Sequence, residues 1–243
     1  MNTLIYGGCF ADNEFKLEMV TLWARLVRHL NPATDIVLFD SASPFDPQIF
    51  IPKKLNINVH RFPENIGHLS HGGGDGAGRT LCAGLEYGIE HGYDYAVHLG
   101  TDMFFAKSVA EIIDRMEGSL VSCACLANPM YQFPEWELSA FFVSWVAETD
   151  FITKYDWQSV RGPYPQLPRP SLLKKYIPEW RLKAAAGDAL WLLPYWGIRN
   201  DKNQVNFINL HEQCPYEPPT WLHMGTDIRL FLRFLELNEI VLP

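Results

Sequence analysis

YDYAVHLGTDMFF, residues Tyr93–Phe105, has the form of a buried strand that runs straight into an acidic turn. Tyr95, Ala96, Val97 and Leu99 suit a strand, with Val97 and Leu99 on one face and Ala96 and His98 on the other. Gly100 lets the backbone turn or be approached closely. Asp102 follows at the tip, with Met103, Phe104 and Phe105 packing behind it. A carboxylate beyond the carboxyl end of a buried strand lies where open α/β sheets place ligands. Alternatively, Asp102 caps the helix near Lys107–Met116, although Ser108 is better placed for that.

Working outward, Thr3–Tyr6 is an apolar strand that Gly7 and Gly8 are expected to stop. Phe15–Leu30 carries Phe15, Met19, Leu22, Trp23, Leu26, Val27 and Leu30 at helical spacing, and Asn31-Pro32 ends it. Asp35–Phe39 is the next strand, closing on Asp40, Ser41, Ala42 and Ser43. Strand, helix and strand within about 40 residues make a βαβ unit with parallel strands. Ile57–Phe62 is a third strand, Thr80–His91 a helix, Val109–Met116 a helix and Val121–Leu126 a strand. Residues 1–126 therefore alternate strand and helix, predicting a mostly parallel sheet covered on both faces.

Residues 127–243 read as an elaboration beside that sheet within one domain. Leu138–Ala147 is an apolar strand, Arg161–Pro170 and Pro215–Pro219 are proline-rich loops, Ala184–Trp191 a short helix and Val205–Leu210 a strand. Thr226–Leu237 is a closing amphipathic helix with Ile228, Phe231, Leu232 and Leu235 inward. One echo joins the halves: His98-Leu-Gly-Thr-Asp102-Met recurs as His223-Met-Gly-Thr-Asp227-Ile. Either this is shared turn chemistry, or both lie at strand ends facing one site.

The 243 residues are enough for a sizeable core, and a net charge of −8 argues against a phosphate-neutralising nucleic-acid surface. Aromatic residues reach 14%, which fits a heavy core or a groove that stacks on sugars or bases. The start, MNTLIYGG, does not read as a signal peptide, and no apolar run approaches the roughly 18 residues of a membrane span. Five cysteines with no C-x-x-C pair point to a reducing compartment, so a cytoplasmic location is expected.

Several residues could carry chemistry. His71–Arg79 contains G-x-G-x-x-A, but about ten residues separate it from the preceding strand, so it reads as a flexible ligand-side loop rather than a dinucleotide fingerprint. Arg79, at the next helix start, suits a diphosphate or pairs with Asp75. Asp40 either caps its turn or accepts a hydrogen bond from a nucleobase. Asp102 and His223 could hold Mn²⁺ or Mg²⁺ with diphosphate oxygens, unless His223 is structural. His68, His71 and Asp75 are a weaker metal-ligand pattern. Asp188, in Gly187-Asp188 before Trp191, is a helix cap or a rigid base for a sugar hydroxyl.

In this order, these residues resemble a glycosyltransferase of the GT-A fold, nearest to family-2-like enzymes. The matching segments are Leu38–Ser43, Glu64-Asn65-Ile66-Gly67, Arg79 with Ala83-Gly84, Val97–Phe104 and Gly187-Asp188. The resemblance implies an α/β, Rossmann-like sheet and transfer of a sugar from a nucleotide donor, UDP-linked, to a hydroxyl of a glycan or glycoconjugate. Asp40 would bind the base and Arg79 the diphosphate, with Tyr6, Asn65 and Thr101 around the nucleotide-sugar. Asp102 and His223 would hold the cation that neutralises the leaving diphosphate. Asp188 would be the general base for inversion; if it does not reach the acceptor, retention follows. Gly100 replaces the first Asp of the D-x-D pattern, removing a ribose or metal contact. Two alternatives stand beside this reading: a scaffold that kept the fold and lost turnover, and a sugar-1-phosphate nucleotidyltransferase. The acidic Ala11-Asp-Asn-Glu14 after the first strand speaks against the latter.

Overall fold

The computed structural model describes residues 1–67, 74–114, 116, 121–128, 131–148, 152, 205–209, 221–223 and 228–242. The first unit is β1 (Thr3–Cys9), α1 (Glu14–Leu30) and β2 (Asp35–Asp40). Asn13 starts α1 by accepting the Lys16 N–H on its side chain, and Asn31 ends it. A short helix α2 (Pro47–Phe50) and a 3₁₀ turn (Lys53–Leu55) lead to β3 (Asn58–Arg61). Then come α3 (Gly74–Glu90), β4 (Tyr95–Leu99), β5 (Met103–Phe105) and α4 (Val109–Asp114). β6 (Val121–Asn128), β7 (Tyr131–Phe142), α5 (Val143–Glu148), β8 (Val205–Asn209), β9 (Trp221–His223) and a closing helix (Ile228–Leu237) complete the described elements.

Seven strands form one sheet in the order β3-β2-β1-β4-β7-β6-β8, and β5 and β9 form a separate pair. β1 pairs in parallel with β2 and β4, and β2 in parallel with β3. β7 is antiparallel to both β4 and β6, while β8 is parallel to β6. It follows that β7 alone runs against the other six. The sheet is mostly parallel, as the alternation predicted, but β4 and β6 are not neighbours: β7, from later in the chain, lies between them.

Side chains alternate across this sheet. Ile5, Ile36, Leu38, Val97 and Leu99 bury under α1, β5, α4 and the closing helix. Leu4, Tyr6, Val37, Phe39 and Ala96 bury under α3 and α5. Helices thus cover both faces, which is why the central strands are apolar on both sides. In the closing helix Phe231 and Phe234 are in the core, with Phe231 4.2 Å from the Phe104 ring.

Four features differ from the expectation. β1 continues through Gly7 and Gly8 instead of stopping there. A Cβ at Gly7 would meet the Leu99 carbonyl at 2.5 Å, and one at Gly8 the Thr80 hydroxyl at 2.5 Å. The glycines therefore admit neighbours to the strand and do not break it. α3 begins at Gly74, so the glycine-rich stretch is partly helical, with Gly76 packed close on the Gly67 backbone. The apolar run after Leu138 is strand only to Phe142; Val143, Trp145 and Val146 then bury as a helical turn. Leu232 is exposed, and Phe234 takes the inward position. The expected helix over Ala184–Trp191 and the two proline-rich loops lie outside the described residues.

Candidate functional site

β1, β2, β3 and β4 all end on one edge of the sheet. β1 leads outward to β2 and β3 on one side, and β4 lies on the other, so the chain reverses its direction of travel across the sheet between β1 and β4. Such a switch point leaves a crevice beyond the carboxyl ends of the strands, where ligands bind in open α/β sheets. Thr101, in the turn after β4, spans this point: its hydroxyl donates to the Gly8 carbonyl at 2.8 Å. Asp102 follows in the same turn and is half-buried.

The turn after β2 is built around Asp40. Cys9, Asp40 and Arg61 are register partners across β1, β2 and β3. The Asp40 carboxylate is 0% exposed. It accepts from the Ser43 N–H at 3.1 Å, from the Ser43 hydroxyl and from the Cys9 thiol at 3.7 Å. Arg61 Nη1 approaches it to 3.3 Å. These bonds hold Ala42 in the left-handed region, at φ 57°. The Ser43 hydroxyl oxygen also accepts from the Ala11 N–H at 2.7 Å, tying the β1 loop to the β2 loop. Asp40, expected to contact a nucleobase, is placed inside the turn, with both carboxylate oxygens bonded to Ser43. Burial, then the Asp40 charge, pushes the Cys9 thiol pKa well up.

Arg79 rises from the second turn of α3 onto this edge, not from the helix start as expected. Its guanidinium lies 3.9 Å over the Phe62 ring, which itself stacks on Phe39. Nη2 donates to the Glu64 carbonyl at 2.8 Å and to the Ser41 hydroxyl at 3.2 Å. Its Nε is enclosed with no hydrogen-bond partner among the described residues. Burial lowers the Arg79 pKa, and Glu64 offsets part of this. The result is an oriented planar cation facing the edge. Beside it Asn65 accepts the Gly67 N–H at 2.9 Å, closing a tight turn.

Tyr6 does not join the site. It is 0% exposed in the middle of β1, its hydroxyl donating to the Leu81 carbonyl at 3.4 Å. Its ring fills the space over Gly84, where a Cβ would stand 2.1 Å away. Desolvation by burial pushes its pKa well up. Tyr6 is thus a core residue packed beneath α3.

The two echo motifs meet. Met103 is the register partner of His223 in the β5–β9 pair, so the Asp102 turn and the His223 strand lie side by side. Among the described residues no group of three His, Cys, Asp or Glu could hold a metal ion by itself. His68, His71 and Asp188 lie entirely outside the described residues, and Asp75 lies outside them as a side chain. No helix in the described residues is long and apolar enough to cross a membrane.

The residues that sequence reasoning missed are Ser41, Ser43, Arg61 and Phe62. Ser41 and Ser43 were legible as turn residues but not as the partners of Arg79 and Asp40. Arg61 and Phe62 could have been found by aligning the ends of two parallel strands, which sets Asp40 opposite Arg61.

No family model matches the chain, and no curated protein matches it in sequence. Solved structures do resemble it. Galactosyltransferase LgtC, in complex with donor and acceptor sugar analogs, aligns with a TM-score of 0.52 at 14% identity, over 100% of this chain and 98% of that one. The 4-diphosphocytidyl-2C-methyl-D-erythritol synthase of Anaerococcus prevotii aligns with a TM-score of 0.52 at 11% identity, over 97% of this chain and 96% of that one. Residues 1–349 of S. aureus TarS, in complex with UDP, align with a TM-score of 0.50 at 12% identity, over 98% of this chain and 64% of that one. The chain therefore has the Rossmann-like α/β fold of the GT-A kind. At these identities the likeness establishes that fold, and function rests on the site.

Proposed function

We propose that the protein is a glycosyltransferase. It moves a sugar from a UDP-linked donor to a hydroxyl of a glycan or glycoconjugate, with inversion and with help from a divalent cation. The observation that carries this reading is the β5–β9 pairing, which joins the Asp102 turn to His223 from opposite halves of the chain at the edge where Arg79 stands. A nucleotide diphosphate needs this combination: a planar donor fork for phosphate oxygens and a carboxylate for a bridging cation.

The roles divide as follows. Arg79, fixed by Phe62, Ser41 and Glu64, receives the diphosphate. Thr101 and Asn65 shape the two turns that flank it. Asp102 and His223 fit a Mn²⁺ or Mg²⁺ site in part, offering a hard oxygen and an imidazole. With Gly100 in place of a second carboxylate, the diphosphate oxygens must supply the remaining ligands. A cation bound there would neutralise the charge that develops on the leaving diphosphate. Asp188 is the proposed base that takes the acceptor hydroxyl proton.

The test is release of UDP from UDP-sugars by the purified protein, with and without Mn²⁺ and a panel of glycan acceptors. Acceptor-stimulated UDP release with a new glycoside in the product is the expected result. Release of pyrophosphate from a nucleoside triphosphate and a sugar-1-phosphate would instead make the protein a nucleotidyltransferase.

A further inference from the structure

The outer edge of the sheet, at β3, sets basic residues beside exposed apolar side chains. Residues 47–63 contain Lys53, Lys54 and Arg61 and no Asp or Glu, in a chain of net charge −8. This segment forms α2, the 3₁₀ turn and β3. Ile51 and Leu55 anchor it in the core, while Ile49 is 76% and Phe50 50% exposed. Lys53 and Lys54 follow in solvent. Arg28 adds a cation alongside, donating to the Leu55 carbonyl at 2.7 Å and to the Asn56 carbonyl at 2.8 Å. Asp46, the acidic residue just before the segment, caps α2 through the Gln48 N–H and lies 3.7 Å from Arg61.

We propose that this edge docks on an anionic lipid surface, with Ile49 and Phe50 entering the headgroup region and Lys53 and Lys54 pairing with lipid phosphates. Two exposed apolar side chains beside lysines match the combination of insertion and charge that holds proteins at membrane surfaces. A subunit interface would need a broader apolar core, and lysine is depleted from such interfaces. The segment leaves the candidate site directly: the Phe45 N–H donates to the Ala11 carbonyl at 3.2 Å, one residue before Asp46. Docking through α2 would therefore hold the carboxyl edge of the sheet near the bilayer. The proposal stands on this surface alone and does not depend on the glycosyltransferase reading.

The experiment is flotation of the full chain with vesicles of phosphatidylcholine alone or mixed with phosphatidylglycerol, in low and high salt. The protein is expected to float with the anionic vesicles in low salt and to be released by high salt. Lys53→Glu with Lys54→Glu, and separately Ile49→Ser with Phe50→Ser, should each lower that partition about tenfold or more. Both variants should keep the wild-type melting temperature. Equal binding to both vesicle types, or partition unchanged in the variants, overturns the proposal. So does a concentration-dependent dimer that the same substitutions abolish, which would assign the patch to a second copy of the chain.

Discussion

Asp40 and Arg61 end two adjacent parallel strands as register partners, and the guanidinium closes to 3.3 Å on a carboxylate that solvent does not reach. The pair fixes the turn whose Ser41 hydroxyl accepts from Arg79, so a contact inside the sheet edge sets the position of the proposed diphosphate ligand.

Arg61→Met should therefore destabilise the protein. Arg61 is partly exposed, so solvent screening reduces the loss below that of a fully buried pair, to about 1–2 kcal/mol. Adding Asp40→Asn should recover part of it, because the buried charge is then gone. Urea unfolding of the single and double variants measures both, and a double variant as weak as the sum of the singles would contradict the pairing.

Gly84 and Gly88 lie one turn apart on α3 and should respond oppositely to alanine. A Cβ at Gly84 would stand 2.1 Å from the Tyr6 ring, whereas one at Gly88 meets Val143 at an ordinary 3.5 Å. Gly84→Ala should cost about 1–3 kcal/mol through overpacking. Gly88→Ala should stabilise by about 0.5–1 kcal/mol through helix propensity. Thermal melts of the two variants should thus shift in opposite directions.

Stability should also fall in alkali through Cys9. Its thiol holds its proton more tightly when folded, because burial and Asp40 oppose the thiolate. The folded pKa is raised, so this contribution is fully present below the unfolded thiol value, about 8.5. It is lost as pH rises above that value, at no more than about 1.4 kcal/mol per pH unit. Cys9→Ala should flatten this part of the stability–pH curve; an unchanged slope would show that the thiol does not contribute.

Arg79→Ala should lower UDP affinity at least about tenfold, since a charge-assisted hydrogen bond to phosphate is worth about 1.5–3 kcal/mol. Arg79→Lys should recover little of this, because an ammonium cannot reproduce the fork held flat on Phe62. Titration calorimetry with UDP distinguishes the three proteins. Asp188→Asn should leave UDP affinity intact and remove transfer, and retained turnover would exclude it as the base.

Much of the fold could be read from period and punctuation. The stripe from Phe15 to Leu30 and the apolar runs ending at Asp40 and Leu99 each had one consistent reading. The insertion of β7 did not. Its run from Leu138 to Ala147 is apolar except at Ser139 and Ser144, a spacing that does not say where strand becomes helix. Pro134 within β7 also reads against a strand, yet it pairs with Cys125 beside a register shift between Cys123 and Ala124. Gly7, Gly8 and the start of α3 were misread for a shared reason: their glycines answer to Leu99, Thr80 and Gly67, which are distant in sequence. At the site, the residue types at the strand ends were legible, but their assignments depended on neighbours. Asp40 read as either a ligand or a cap, and Arg61, distant in sequence but its register partner across the sheet, helps to hold it in the turn.

The most direct test of the glycosyltransferase reading is the melting temperature of wild type and Asp102→Ala with UDP, GDP, ADP and CDP, each with and without Mn²⁺. Linkage gives about 2.7 kcal/mol of stabilisation at a ligand concentration 100 times its dissociation constant. The predicted result is a rise with UDP that requires Mn²⁺ in the wild type and is absent in Asp102→Ala. No rise with any nucleoside diphosphate, with or without the metal, would contradict the account.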